Sequence, residues 1–227
     1  MTLLFIHGSG FTGEAFAAQV NAFPDAYAPN LPGHDAPGAP EQVDEFAEFI
    51  EGYVRDHGLA NPVLAGNSLG GAIALQCALR GRVPIGGIVL LGSGARLRVA
   101  PAILEGLERD FERTIAQLAT LFFAEPSTER VDRAVERLRK TGQPQVARDF
   151  AACNAFDVLD RLDELSVPLL ALTGEADVMT PPKFARALAD RVAGAQARIV
   201  PRAGHLLMIE RPDETNAAIR AFVDEIR

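Results

Sequence analysis

Four short apolar runs, at residues 3–6, 62–65, 88–91 and 169–172, are each bounded by turn residues and contain no alternating polar positions. Runs this short are strands rather than helices, and unbroken apolar character marks strands buried on both faces, as in a parallel sheet covered by helices. Parallel neighbours cannot be joined by a hairpin. They need crossovers of a dozen or more residues, so helices are expected between them. Two weaker runs, 26–28 before Pro29 and 197–200, bring the sheet to about six strands.

The intervening segments carry helical spacing. Phe46, Phe49, Ile50, Tyr53 and Val54 form one stripe, residues 69–80 are rich in Ala and Leu, and Pro181 and Pro182 open a further helix with Thr180 as its expected N-cap. From about residue 95 to 165 no strand signal occurs. Ile103, Leu104, Leu107, Phe111, Ile115, Leu118, Leu121 and Phe122 make one long stripe, 131–139 a charged amphipathic helix, and 147–162 a third apolar-faced stretch. The expectation is one domain: an α/β core of residues 1–94 and 166–227, with residues 95–165 inserted as helices.

The chain has 227 residues, enough for one such core. Its net charge of −8 opposes binding to nucleic acid or to an anionic membrane, since both require basic surface. A small molecule is the expected partner, and a monomer or homodimer the expected state. No run approaches the ~20 apolar residues of a membrane span, and the first apolar run has no basic start, so a cytoplasmic protein is expected. Cys77 and Cys153 are too few for a disulfide framework and read as free thiols.

Chemistry concentrates where the strands end. Gly66-Asn67-Ser68-Leu69-Gly70-Gly71 fits the G-x-S-x-G elbow, with an apolar strand entering it and a helix leaving it. Such a turn pushes the serine out above the sheet at a helix N-terminus, where the Leu69 N–H can receive developing negative charge. A serine nucleophile needs a base oriented by a carboxylate. Of four histidines, His205 follows the last strand at the same end of the sheet, whereas His7, His34 and His57 read as structural or solvated. The strand at 169–172 runs into Thr173-Gly174-Glu175-Ala176-Asp177, and Asp177 is the chosen acid over Glu175. A second oxyanion donor is expected from His7-Gly8-Ser9-Gly10, at the N–H of Ser9 ahead of that of Gly10. This glycine loop lacks the phosphate-binding patterns, and no His, Cys and acid cluster has metal-ligand spacing, so neither cofactor nor metal is expected.

These peptides, together with Asn30-Leu31-Pro32-Gly33-His34, Ala203-Gly204-His205 and Glu210-Arg211-Pro212, resemble the α/β-hydrolase superfamily over nearly the full length, specifically its small bacterial serine hydrolases. The resemblance implies the α/β-hydrolase fold, a Ser68–Asp177–His205 triad, and a lid formed by residues 95–165. The family's first antiparallel hairpin has no counterpart here, so the sheet is expected to be shortened to about six strands. Branches with a carboxylate nucleophile are disfavoured by Ser68. An apolar substrate pocket is expected from Phe11, Leu107, Phe111, Phe122, Phe123, Phe156 and Leu206, with Arg96 and Arg98 as the candidates for binding a carboxylate. The expected activity is hydrolysis of a small, largely apolar carboxylic ester. Thioester or carbon–carbon bond hydrolysis, or a ligand sensor that retains the fold, are the alternatives.

Overall fold

A computed structural model describes residues 1–227. Strand β1 (Leu3–Ile6) leads through a 3-10 turn at Gly13–Phe16 into α1 (Ala17–Ala22), then β2 (Ala26–Tyr27), α2 (Val43–Asp56), β3 (Val63–Asn67), α3 (Leu69–Arg80) and β4 (Gly87–Leu91). Four helices follow: α4 (Pro101–Arg109), α5 (Phe111–Leu121), α6 (Thr128–Thr141) and α7 (Gln143–Ala155). A 3-10 turn at Leu159–Glu164 returns the chain to β5 (Leu169–Gly174), α8 (Pro182–Arg191), β6 (Gln196–Val200), the single turn α9 (Leu207–Glu210) and α10 (Pro212–Glu225).

All six strands are parallel, in the order β2-β1-β3-β4-β5-β6. Strands β1, β3, β4 and β5 are buried throughout, which is why they read as unbroken apolar runs. Alternate residues face two separate cores. Leu4, Ile6, Leu64, Ile88 and Leu90 meet Phe46, Ile50 and Ile73 of α2 and α3. Leu3, Phe5, Val63, Val89 and Leu170 meet Phe16, Ile219 and Phe222 on the other side. Sequence order steps one way from β1 to β2 and the other way from β3 onward. The crevice beyond the carboxyl ends of β1 and β3 is therefore the topological switch point, where open α/β sheets hold ligands.

Helices α4 to α7, within residues 95–165, lie between β4 and β5. Its roots are cross-bonded, Leu97 N–H to Phe156 C=O at 3.3 Å and Val158 N–H to Ala95 C=O at 2.8 Å. The long apolar stripe splits into α4 and α5 at Asp110, whose φ of −146° and ψ of 64° are not helical. The third stretch ends at Phe156, which is extended, so it forms α7 and a separate 3-10 turn. Thr180 is not the N-cap of α8. Pro181 takes that position with no side-chain cap, and the Thr180 hydroxyl is spent elsewhere. Cys77 and Cys153 are free and buried.

Candidate functional site

Strand β3 passes into α3 through Ser68, whose φ of 52° and ψ of −114° are strained for a residue with a side chain. The strain is imposed by close packing. A Cβ on Gly66 would strike the Gly70 backbone, and one on Gly70 would strike the Ile6 carbonyl, so only glycine allows the turn to close against β1. Its backbone is pinned: the Ser68 N–H donates to Leu91 C=O at 3.0 Å, and the Ser93 hydroxyl donates to Ser68 C=O at 2.8 Å. Within the peptide 66–71 every other residue is buried; Ser68 alone reaches the surface.

Beyond β5, Asp177 is buried and surrounded by donors. Its Oδ1 accepts the Met179 and Thr180 N–H groups, each at 2.9 Å, and its Oδ2 accepts the Thr180 hydroxyl at 2.7 Å and His205 Nδ1 at 2.9 Å. Burial alone would raise the carboxyl, but the His205 charge and hydrogen bond and the Thr180 donors outweigh it and hold Asp177 below the ordinary carboxylate value. Because His205 Nδ1 faces a carboxylate, it carries the proton and leaves Nε2 as the open nitrogen. Neither Nε2 nor the Ser68 hydroxyl is hydrogen-bonded within the protein, although both residues border the same clefts. Glu175, the competing acid, is exposed and accepts the Arg202 N–H at 3.2 Å instead.

Two residues hold the His205 loop. Asn67 donates from Nδ2 to Leu91 C=O at 3.0 Å and to His205 C=O at 3.2 Å, joining the elbow to the histidine. Glu210, buried, accepts the Gly204 N–H at 2.5 Å and those of Ala124 and Glu125 at 3.0 and 3.2 Å, joining the same loop to the turn between α5 and α6. Thr180, Asn67 and Glu210 were not identified from sequence as site residues. Asn67 lies in the elbow peptide and Glu210 in the Glu210-Arg211-Pro212 peptide, while Thr180 carried only the signal of a helix N-cap.

In the loop after β1, no protein group accepts the Ser9 N–H, whereas the Gly10 N–H is given to Asp149 Oδ2 at 2.8 Å. Leu69 is the first residue of α3, so its N–H has no intrahelical acceptor. His7 is fully buried; burial and the neighbouring His34 lower it to about 3, and it is a neutral ring. His57 is exposed and stacks on Tyr53 with centroids 3.9 Å apart.

Two narrow clefts of about 50 and 10 Å³ share Ser9, Ser68, Phe150, Met179 and His205. The larger adds Leu97, Val99 and Phe184 with Arg98 and Cys153; the smaller adds Phe11, Phe122, Asn67 and Leu206. Burial raises the Cys153 thiol to about 12, which makes it an inert wall. Leu107, Phe111, Phe123 and Phe156 border neither cleft. Leu107, Phe111 and Phe156 pack into the cores, and Phe123 faces a cavity of about 980 Å³ between α6 and residues 11–18 that reaches none of Ser68, Asp177 and His205. Arg96 is tied to Asp157 at 2.6 Å, leaving Arg98, 3.6 Å from the same carboxylate, at the cleft.

Comparison with known proteins agrees with this architecture. A pimeloyl-[acyl-carrier protein] methyl ester esterase of Neisseria meningitidis serogroup C is 27% identical over an alignment that covers 97% of this chain and 93% of that protein. A putative carbamate hydrolase of Rhizobium rhizogenes is 25% identical, with 98% and 92% covered. A thermophilic esterase from Thermogutta terrifontis superposes with a TM-score of 0.87 at 26% identity, covering 100% of this chain and 90% of that one. The family model described as the alpha/beta hydrolase family matches residues 3–218. With its all-parallel sheet and its serine elbow at the switch point, the chain belongs to the alpha/beta hydrolase family.

Proposed function

We propose that the protein is a serine hydrolase that cleaves a small, largely apolar carboxylic ester through an acyl-enzyme. Ser68 Oγ attacks the carbonyl carbon while His205 Nε2 takes its proton and passes it to the departing alcohol; water then repeats the sequence on the acyl-enzyme. Asp177 stays ionised, keeps the proton on Nδ1 and faces the positive charge that His205 acquires. The Ser9 and Leu69 N–H groups receive the oxyanion, where pre-aimed donors act with no reorganisation. The hydrogen bond from Ser68 to His205 forms as substrate fills the cleft, as is common for sites that are loose when empty.

One observation carries this reading. The Asp177-bound His205 and the strained Ser68 border the same cleft, with Nε2 left open. The acyl and alcohol arms would occupy the two clefts, with residues 95–165 acting as a lid through Phe122 and Phe150. Their small volumes favour short groups on at least one arm. The esterase names of the Neisseria and Thermogutta proteins favour an oxygen ester over a thioester or carbon–carbon bond.

A fluorophosphonate probe with mass-spectrometric mapping tests the proposal, run beside hydrolysis of p-nitrophenyl acetate, butyrate and octanoate. An adduct on Ser68 with ester turnover is expected, and Ser68→Ala should lower kcat by about 10⁶. Tight ligand binding without adduct or turnover would leave the ligand-sensor reading instead.

A further inference from the structure

Asp149 lies on α7, far in sequence from the glycine loop, with its side chain fully buried. Oδ2 accepts the Gly10 N–H at 2.8 Å and His34 Nε2 at 2.7 Å, and Oδ1 accepts Gln145 Nε2, one turn earlier, at 2.8 Å. The other His34 nitrogen faces Pro32 C=O at 3.1 Å, so both sides of that ring meet oxygen acceptors. His34 packs edge-on against His7 with centroids 4.7 Å apart, and His7 in turn donates from Nδ1 to Gly8 C=O at 3.0 Å and accepts the Leu31 N–H at 2.9 Å.

This network brackets one peptide unit. The Ser9 N–H and Gly8 C=O belong to the same planar peptide and point in opposite directions, so a bond that fixes the carbonyl fixes the N–H. His7 and the Phe11 N–H hold that carbonyl, the latter at 3.2 Å. The next peptide is held by Asp149 at its N–H, and the one after by the Thr141 hydroxyl, which donates to Gly10 C=O at 2.8 Å. Gly10 has a φ of +72°, and a Cβ there would strike Leu138, so α6 and α7 close directly on this turn.

We infer that Asp149 is a positioning residue that aims the Ser9 N–H through Gly10 and His34, so that the inserted helices set the geometry of oxyanion stabilisation as well as covering the cleft. This rests on the role proposed above for Ser9. The carboxylate also explains why Gly10 is not a donor: its N–H is already engaged.

The test is the double variant His34→Leu/Asp149→Leu, because exchanging both partners of a buried hydrogen bond for apolar groups of similar size is often tolerated, whereas removing one partner strands the other. Active sites are titrated by the extent of fluorophosphonate labelling, and kcat is expressed per labelled site. The expected result is a kcat lowered about tenfold or more, within the ~10²–10³ that complete loss of one donor costs, with KM within about threefold of the parent. The inhibition constant of a phenylboronic acid, whose tetrahedral adduct places an oxygen at the donors, should rise by a similar factor. Asp149→Asn, which keeps an oxygen for Gly10, should recover most of the lost kcat. Should the double variant not fold, Asp149→Ser, too short to reach Gly10, is read in the same way. An unchanged kcat per labelled site, or a loss confined to KM or to the labelled fraction, overturns the inference. Failure of the parent protein to label at Ser68 or turn over would instead overturn the underlying reading.

Discussion

The Thr180 hydroxyl donates to Asp177 Oδ2 at 2.7 Å, sharing that oxygen with His205 Nδ1, from which the hydroxyl itself lies 3.2 Å away. A hydrogen bond to a charged acceptor in a buried site is worth about 1.5–3 kcal/mol. Thr180→Val keeps the shape and removes the donor. It should lower the unfolding free energy by about that amount in a denaturant titration. Because Asp177 then loses one constraint on its orientation, kcat should fall about three- to tenfold with KM little changed.

His7 gives the fold a definite acid sensitivity. Its ordinary value of 6.5 falls to about 3 in the folded protein, so the unfolded chain takes up a proton that the folded chain refuses until pH nears 3. Stability from this group is complete above about pH 6.5 and is lost as pH falls toward 3, reaching about 5 kcal/mol over the window. Asp177, also depressed, adds a further loss below its ordinary value of 3.8. Unfolding free energy measured from pH 7 to pH 4 should therefore decline. In His7→Asn the slope should shrink by up to about 1.4 kcal/mol per pH unit, and an equal slope in both proteins would refute the assignment.

Glu210 satisfies three backbone N–H groups from two separate loops. Glu210→Ala leaves them without an acceptor, at about 1–3 kcal/mol for each that stays buried. The expected result is a fall of about 3 kcal/mol or more in stability, together with a lower kcat as Gly204 and His205 lose their anchor. Glu210→Gln retains one oxygen and should be milder in both. Thermal melting and kcat per titrated site check the pair.

Phe150 borders both clefts. Phe150→Ala should open space in both narrow clefts. The ratio of kcat/KM for octanoate over acetate esters should rise about tenfold or more, since each methylene in an apolar pocket carries about 1–3 kcal/mol.

The strands could be read because β1, β3, β4 and β5 are covered on both faces, which leaves unbroken apolar runs. The elbow could be read because Gly66 and Gly70 stand where the backbone of one segment touches that of another, and no other residue fits. Asp177 could be preferred to Glu175 only by its place in the loop, and their contacts separate them physically. Thr180 was misread because a threonine before a proline-opened helix gives the same signal whether its oxygen caps the helix or binds a carboxylate. Asp149, beside Arg148 on a helix, looks like a solvated acid until α7 is packed on the glycine loop. Phe111 shares the helical stripe with Phe122, and Phe123 follows it, yet only Phe122 of the three reaches the cleft; spacing identifies an apolar face, not which of two apolar neighbours it meets.

The inserted helices contribute buried residues to both sides of the sheet: Ala152, Phe156 and Val158 to one core, and Ile115, Leu118, Phe122 and Leu138 to the other. Such a segment is not an appendage that can be deleted or exchanged at its roots, because its removal would expose both halves of the interior at once. A graft of different helices would have to rebuild buried contacts on both faces of the sheet, whereas a single substitution along the cleft leaves those contacts in place.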